Sequence, residues 1–119
     1  MTADSAMRSP IQISVQEFAA RCQHDTSALQ LIDVREPQEL HLSSLEGFIL
    51  FPLSQFAEWG DSILTRLDLN AETIVMCHHG VRSAQMCQWL AHNGFSDVKN
   101  LAGGIDAYSL YVDSSVPRY

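Results

Sequence analysis

The chain has 119 residues, of which 46% are hydrophobic and 18% charged, a composition that fits one globular domain and excludes a disordered chain or a fibrous repeat. No stretch approaches the roughly 20 consecutive apolar residues that cross a bilayer. Fourteen acidic against seven basic residues give a net charge of −7, so Coulomb repulsion disfavours nucleic acid and anionic membrane surfaces as partners.

The N-terminus and the cysteine count bear on domain limits and location. Residues 1–10 lack the basic head and apolar run of a secretory signal, and we interpret them as a mobile tail before a single domain over residues 11–119. The cysteines, Cys22, Cys77 and Cys87, are odd in number and sparse, which is typical of a reducing compartment rather than of a disulfide framework. A cytoplasmic location is therefore predicted.

The first element in chain order is a short strand, Ile11–Ile13. A helix is predicted to begin at Ser14, because Ser14 and Glu17 have the spacing of a capping box, in which each side chain satisfies the other residue's free backbone N–H. Its inner face is expected to carry three residues at helical spacing: Phe18, Ala19 and Cys22.

The middle of the chain repeats this alternation. An apolar run over residues 29–34 predicts a second strand, and Pro37 marks the start of a short helical turn over residues 38–42. Residues 47–51 predict a third strand. Ser54 is then expected to cap a helix over residues 54–69, whose inward positions are Phe56, Trp59 and Ile63.

The last part of the chain contains its most β-prone run, Thr73–Met76. A helix is predicted over residues 83–93, ended by Gly94, with four inward residues: Met86, Cys87, Leu90 and Ala91. Val98–Leu101 is the fifth strand. A final helix is expected after Gly103-Gly104, and it carries Ile105, Tyr108 and Leu110.

Strands that alternate with helices predict parallel crossovers and a sheet covered on both faces. In such sheets ligands bind outside the carboxyl ends of the strands. The residues that follow Met76 are therefore the first candidates for a functional site.

The segment between the fourth strand and the next helix reads Cys77-His78-His79-Gly80-Val81-Arg82-Ser83. Backbone N–H groups of a short loop that leads into a helix can point inward and, together with the helix dipole, bind an anion. A cysteine at the first position directs its sulfur at these donors, which favours the thiolate. Gly80 permits a tight turn, Arg82 adds a cation near the rim, and Ser83 is expected to cap the helix.

Three segments together resemble a single-domain rhodanese of the sulfurtransferase superfamily. Residues 31–37, Leu-Ile-Asp-Val-Arg-Glu-Pro, resemble the family's early Asp-x-Arg segment, residues 77–82 its six-residue active-site loop, and residues 103–108 its late Gly-Gly segment. The order and spacing agree over roughly residues 11–117. The resemblance implies a three-layer α/β/α fold with a central five-stranded, mainly parallel sheet.

The resemblance also implies a reaction. Cys77 would take sulfane sulfur from thiosulfate or a persulfide donor, become a persulfide, and pass the sulfur to a thiophilic acceptor such as cyanide, a thiol or a protein. The loop residues His78, His79, Gly80, Val81, Arg82 and Ser83 would bind the substrate, with Arg82 attracting a sulfonate-like donor. A thiolate nucleophile needs no general base, so His78 and His79 are not assigned as proton shuttles.

Two alternatives remain open from the sequence. The same fold serves as a docking or regulatory module, although the presence of Cys77, Gly80 and Arg82 together favours an active site. Tyrosine-phosphatase-like loops place an arginine six positions after the cysteine, where this chain has Ser83. The shorter spacing here favours sulfur chemistry over a phosphatase or arsenate reductase.

The remaining polar residues have simpler interpretations. His78-His79 lacks a second pair of ligands at zinc-site spacing, so no metal and no other cofactor is predicted. Asp33 and Arg35 are interpreted as a structural anchor near the floor of the site, and Cys87 as a core residue rather than a resolving cysteine. Three further histidines are expected on the surface: His24, His41 and His92. Compared with many relatives, the chain has Ser43-Ser44 in place of a Gly-His pair, and Tyr108 where tryptophan is frequent.

Overall fold

The computed structural model describes residues 10–24 and 26–119. The predicted tail, residues 1–10, lies outside this part of the chain except for Pro10, and the single domain over residues 11–119 stays a prediction. These two ranges contain five strands: β1 (Ile11–Ile13), β2 (Gln30–Asp33), β3 (Ile49–Leu50), β4 (Thr73–Met76) and β5 (Val98–Leu101). They pair in parallel in the order β1-β5-β4-β2-β3.

In the described residues, four α-helices connect these strands and a fifth follows β5: α1 (Val15–Cys22), α2 (Pro37–Leu40), α3 (Phe56–Arg66), α4 (Val81–His92) and α5 (Gly104–Tyr111). A 3₁₀ turn, Leu53–Gln55, precedes α3. Alternate strand residues point to opposite faces of the sheet, so Ile32 and Val75 pack with α3 and α4, whereas Ile74 and Met76 pack with α1 and α5. The predicted three-layer α/β fold is confirmed.

Helix α1 begins as the sequence predicts. The Glu17 amide donates to the Ser14 hydroxyl at 3.0 Å, and the Ser14 amide donates to the Glu17 carboxylate at 3.1 Å. Cys22, however, is exposed. The prediction that it lies inward is wrong, because the buried stripe of α1 consists of Val15 and Phe18 and is only one turn long.

The third helix differs from its prediction at both ends. Ser54 lies in the 3₁₀ turn and bonds to the carboxylate of Glu36, so it does not cap α3, which starts at Phe56 and ends at Arg66. Trp59 and Ile63 are buried, whereas Phe56 is 38% exposed while contacting Trp59 edge-on. Amphipathic spacing located this helix but not its boundaries.

Helix α4 starts two residues earlier than predicted, and this shift changes which side chains face inward. Its N-cap is Gly80, with φ of +101°. With a rotation of about 100° per residue, Ser83 falls on the same face as Met86 and Leu90, and all three are buried. Ser83 is therefore not the cap, and Ala91, about 100° beyond Leu90, is exposed.

The strand register places the site. Asp33 of β2 pairs with Met76 of β4, so these two central strands end at the same level of the sheet. Cys77 follows directly, and α2 and α5 begin at this same edge. In the part of the chain that the structure describes, no helix is long and apolar enough to cross a membrane.

Candidate active site

The sulfur of Cys77 lies at the start of helix α4. Its Sγ accepts hydrogen bonds from the Gly80 amide at 3.0 Å, the Ser83 amide at 3.4 Å and the Ser83 hydroxyl at 3.3 Å. Donors at the positive end of a helix stabilise a negative charge on sulfur. Among the loop amides that the structure describes, those of Gly80 and Ser83 are directed at Sγ.

A buried amide on the neighbouring strand holds this loop in shape. Asn100 of β5 is 3% exposed, and its Nδ2 donates to the Gly80 carbonyl at 3.1 Å. Its Oδ1 accepts a hydrogen bond from the Ser83 hydroxyl. The hydroxyl has one hydrogen, which can be directed at Asn100 or at the Cys77 sulfur. No sequence signal marks Asn100, because nothing in a strand position distinguishes a side chain that bonds to a distant loop.

The Gly-Gly segment supports the loop from the opposite side. The amides of Ile105 and Asp106, at the start of α5, donate to the carbonyls of Cys77 at 3.0 Å and His78 at 3.1 Å. Gly104 has φ of +65°, and a Cβ on it would lie 2.4 Å from each of those carbonyl oxygens. Only glycine permits this approach, so the segment fixes the backbone of the loop.

The side chain of Arg82 is held by an ion pair. Its Nη1 and Nη2 donate to the two carboxylate oxygens of Glu39 at 2.8 and 3.0 Å. The hydrogen bonds from Arg82 lower the pKa of Glu39 from 4.5 to about 2, and Glu39 in turn raises the pKa of Arg82. The cation that the sequence places near the rim is therefore paired within the fold, on a partner 43 residues away.

The two loop histidines lie in different surroundings. His78 is half-buried and stacks on the ring of Tyr119, with centroids 3.8 Å apart and planes 5° from parallel. Burial, and then the neighbouring His79, lower the pKa of His78. His79 is 60% exposed, with Nδ1 3.8 Å from the Asp106 carboxylate. Within the described ranges, no group of three or more His, Cys, Asp or Glu side chains could hold a metal ion.

Asp33 and Arg35 form the structural anchor that the sequence suggests. Arg35 is fully buried and donates to both carboxylate oxygens of Asp33, with the closest contact at 2.8 Å. Its Nη1 also donates to the Ser43 carbonyl and to the Tyr119 hydroxyl, each at 2.9 Å. Tyr119 therefore joins the floor of the site to the His78 ring, a role that no local sequence signal indicates because the residues are 84 positions apart.

Comparisons with known proteins identify the family. The model of the rhodanese-like domain matches residues 14–110. The chain belongs to the rhodanese-like domain family. A chloroplastic rhodanese-like/PpiC domain-containing protein 12 of Arabidopsis thaliana is 45% identical over 115 residues, covering 94% of this chain. The chain spans only 38% of the length of that relative.

Two other proteins similar to this rhodanese-like domain are closer to it in size. Thiosulfate sulfurtransferase GlpE of Shewanella oneidensis is 25% identical over 84 residues, which cover 71% of this chain and 79% of GlpE. The crystal structure of a rhodanese-related protein from Thermoplasma volcanium matches with a TM-score of 0.71 at 26% identity, covering 86% of this chain and 93% of the other.

The departures from the usual rhodanese pattern fall on structural positions. The Ser43 carbonyl accepts a hydrogen bond from Arg35, so the backbone at this position takes part in the floor of the site. Tyr108 is half-buried and packs edge-on against Phe18, with ring centroids 6.3 Å apart. Neither side chain contacts the sulfur of Cys77 among the described hydrogen bonds.

Proposed function

We propose that this rhodanese-like domain is a sulfurtransferase that carries sulfane sulfur on Cys77. The observation that carries the proposal is the set of three donors, two amides and one hydroxyl, within 3.4 Å of the Cys77 sulfur. Such donors favour the thiolate as nucleophile and would then hold the charge of a persulfide. The name of the GlpE relative, thiosulfate sulfurtransferase, agrees with this chemistry.

The reaction has two steps that balance without a cofactor. With thiosulfate, the Cys77 thiolate attacks the outer sulfur, a new S–S bond forms, and the old S–S bond breaks to release sulfite. The outer sulfur of the Cys77 persulfide is then attacked by a nucleophile; cyanide leaves as thiocyanate and the Cys77 thiolate is restored. We expect loop residues 78–83 to bind the transferred sulfur, with the amides of Gly80 and Ser83 as its nearest backbone donors. Because Cys77 is only 1% exposed, we expect small movements of the surrounding side chains to admit the donor.

Donors and acceptors are proposed only by class. A small-molecule donor such as thiosulfate or a persulfide, and a thiol or protein acceptor, fit this chemistry, and a cytoplasmic location stays a prediction from the cysteine usage. No cofactor takes part in the proposed reaction.

The experiment is a thiocyanate-formation assay on the purified chain with thiosulfate and cyanide. The proposal predicts turnover by the wild type and background rates for Cys77→Ser, with an unchanged circular dichroism spectrum. Parallel assays use an aryl phosphate and arsenate as substrates. Turnover of either one without thiocyanate formation would favour the phosphatase or reductase alternative, and no turnover of any substrate would favour a docking module.

A further inference from the structure

We infer that Glu39 selects the sulfur donor: by pairing with Arg82, it makes the site favour sulfane donors that carry at most one negative charge, such as organic persulfides, over dianionic thiosulfate. This inference rests on the proposed sulfurtransferase function. It concerns which donor the site accepts, and it assigns to a helix α2 residue outside the loop a role in specificity.

The Glu39 carboxylate is fixed in place by several hydrogen bonds. It accepts both Arg82 contacts and also a hydrogen bond from the Glu36 amide at 2.9 Å. The Tyr119 hydroxyl donates to it at 2.8 Å while accepting from Arg35. A carboxylate with donors on both oxygens keeps its geometry, so the charge of Arg82 is balanced by a fixed bidentate pair rather than by a transient contact.

Two cationic side chains around the loop are each paired with a carboxylate. Arg82 is balanced by Glu39, and Arg118, on the other side, is bonded to Asp106 at 2.8 Å. These two pairs sum to zero, and the chain as a whole carries −7. Burial and His79 lower the pKa of His78, which disfavours a positive charge on its ring. A dianion finds no net attraction from these groups.

A sulfur donor with at most one negative charge can react without the help of an unpaired cation. For a persulfide R–S–SH, the Cys77 thiolate attacks the outer sulfur, the donor S–S bond breaks, and R–S⁻ leaves while the proton stays on the transferred sulfur. The negative charge of the Cys77 thiolate thus passes to the leaving R–S⁻, and the transferred sulfur is bound as a neutral persulfide. The amide and hydroxyl donors around Sγ suffice for this step, and no unpaired guanidinium is required.

The test compares thiosulfate with methanethiosulfonate, in which a methyl group replaces one charged oxygen and one charge is removed at similar size. We expect kcat/KM for thiosulfate to rise about tenfold in Glu39→Gln, where Arg82 is unpaired, and to fall about tenfold in Arg82→Gln, where Glu39 is unpaired. The double variant should lie between the two single variants. Since Coulomb energy scales with charge, methanethiosulfonate should show each effect as only about threefold.

A second measurement uses the wild type alone, so it does not depend on whether the variants fold. In the wild type, kcat/KM for thiosulfate should stay level or rise as NaCl increases from low to physiological ionic strength, because salt screens the repulsion by the acidic chain. A steep fall would mean that an unpaired cation attracts thiosulfate, and it would overturn the inference. Equal responses of the two donors to Glu39→Gln would overturn it as well.

Failure of the inference is distinguishable from failure of the proposed function. If wild-type protein forms thiocyanate from both donors but Glu39→Gln leaves their ratio unchanged, the sulfurtransferase proposal stands and the role of Glu39 is refuted. If wild-type protein forms none from either donor, both are refuted. Rates are corrected with Cys77→Ser, which reports the uncatalysed reaction of each donor with cyanide.

Discussion

The start and the middle of helix α4 each bury a cysteine, and their surroundings differ. Cys77 and Cys87 are 1% and 2% exposed and belong to the same hydrophobic cluster. The Cys77 sulfur lies within hydrogen-bond distance of two amides and of the Ser83 hydroxyl, which also faces Asn100, whereas burial, and then the nearby Cys77, raise the pKa of Cys87 from 9.0 to about 12. Burial without nearby donors disfavours the thiolate of Cys87, and we propose that the donors at the start of α4 make the Cys77 sulfur the reactive one.

The largest expected effect separates the two cysteines directly. Cys77→Ser should lower thiocyanate formation by at least about a thousandfold, because a hydroxyl is a poor nucleophile without a base. Cys87→Ala should keep most of the activity and lose only stability through the small cavity it leaves. Steady-state assays of both variants check this, and a loss of activity in Cys87→Ala as large as in Cys77→Ser would mean that both thiols react.

A substitution in the Gly-Gly segment tests how closely this segment packs against the backbone of the loop. Gly104→Ala should lower the free energy of unfolding by about 3 kcal/mol or more, since the new Cβ meets two carbonyl oxygens at 2.4 Å in a left-handed conformation. The matched control is Gly94→Ala, where φ is +101° but the nearest atom lies 3.9 Å away; about 1 kcal/mol is expected there. Urea unfolding measures both, and equal losses would contradict the close packing at Gly104.

Unfolding at alkaline pH tests the raised pKa of Cys87. Because the pKa of Cys87 is raised from 9.0 to about 12, the unfolded chain loses this proton before the native protein does. Its contribution to stability is fully present below pH 9 and is lost as the pH rises towards 12, by about 1.4 kcal/mol per pH unit. Between pH 9 and 10.5, wild type should lose about 2 kcal/mol more than Cys87→Ala in urea unfolding. Parallel curves would show that Cys87 ionises as easily in the native protein as in the unfolded chain.

The smallest expected effect comes from removing one hydrogen-bond donor near the Cys77 sulfur. Ser83→Ala removes the hydroxyl that lies 3.3 Å from the Cys77 sulfur, and the rate of sulfur loading should fall about fivefold, as the loss of one hydrogen bond of about 1 kcal/mol implies. Ser83→Thr should restore the rate, because it retains the hydroxyl. An unchanged rate in Ser83→Ala would mean that the two amides alone stabilise the negative charge on the Cys77 sulfur.

The sequence was sufficient for features that depend on local spacing. The capping box of Ser14 and Glu17, the strand Thr73–Met76 and the position of Cys77 at its carboxyl end all follow from neighbouring residues. The anchor formed by Asp33 and Arg35 was also foreseen, since the two residues alternate along one strand end and carry opposite charges.

Features that depend on distant parts of the chain were not predictable. Ser83 was expected to cap helix α4, but the positive φ of Gly80 starts the helix earlier and turns Ser83 towards the sulfur. The partner of Arg82 is Glu39, and the ring that covers His78 is Tyr119. Such pairs form only when the sheet brings separate loops to one edge, and single-sequence spacing holds no information about them.

The most direct test of the account is intact-mass spectrometry of the chain after incubation with a sulfane donor. Thiosulfate and methanethiosulfonate are both used, followed by cyanide. The account predicts a gain of one sulfur, about 32 Da, on wild type and on Cys87→Ala, its removal by cyanide, and no gain on Cys77→Ser. A gain that persists in Cys77→Ser, or its absence from the wild type with both donors, would contradict the central claim that Cys77 carries the sulfur.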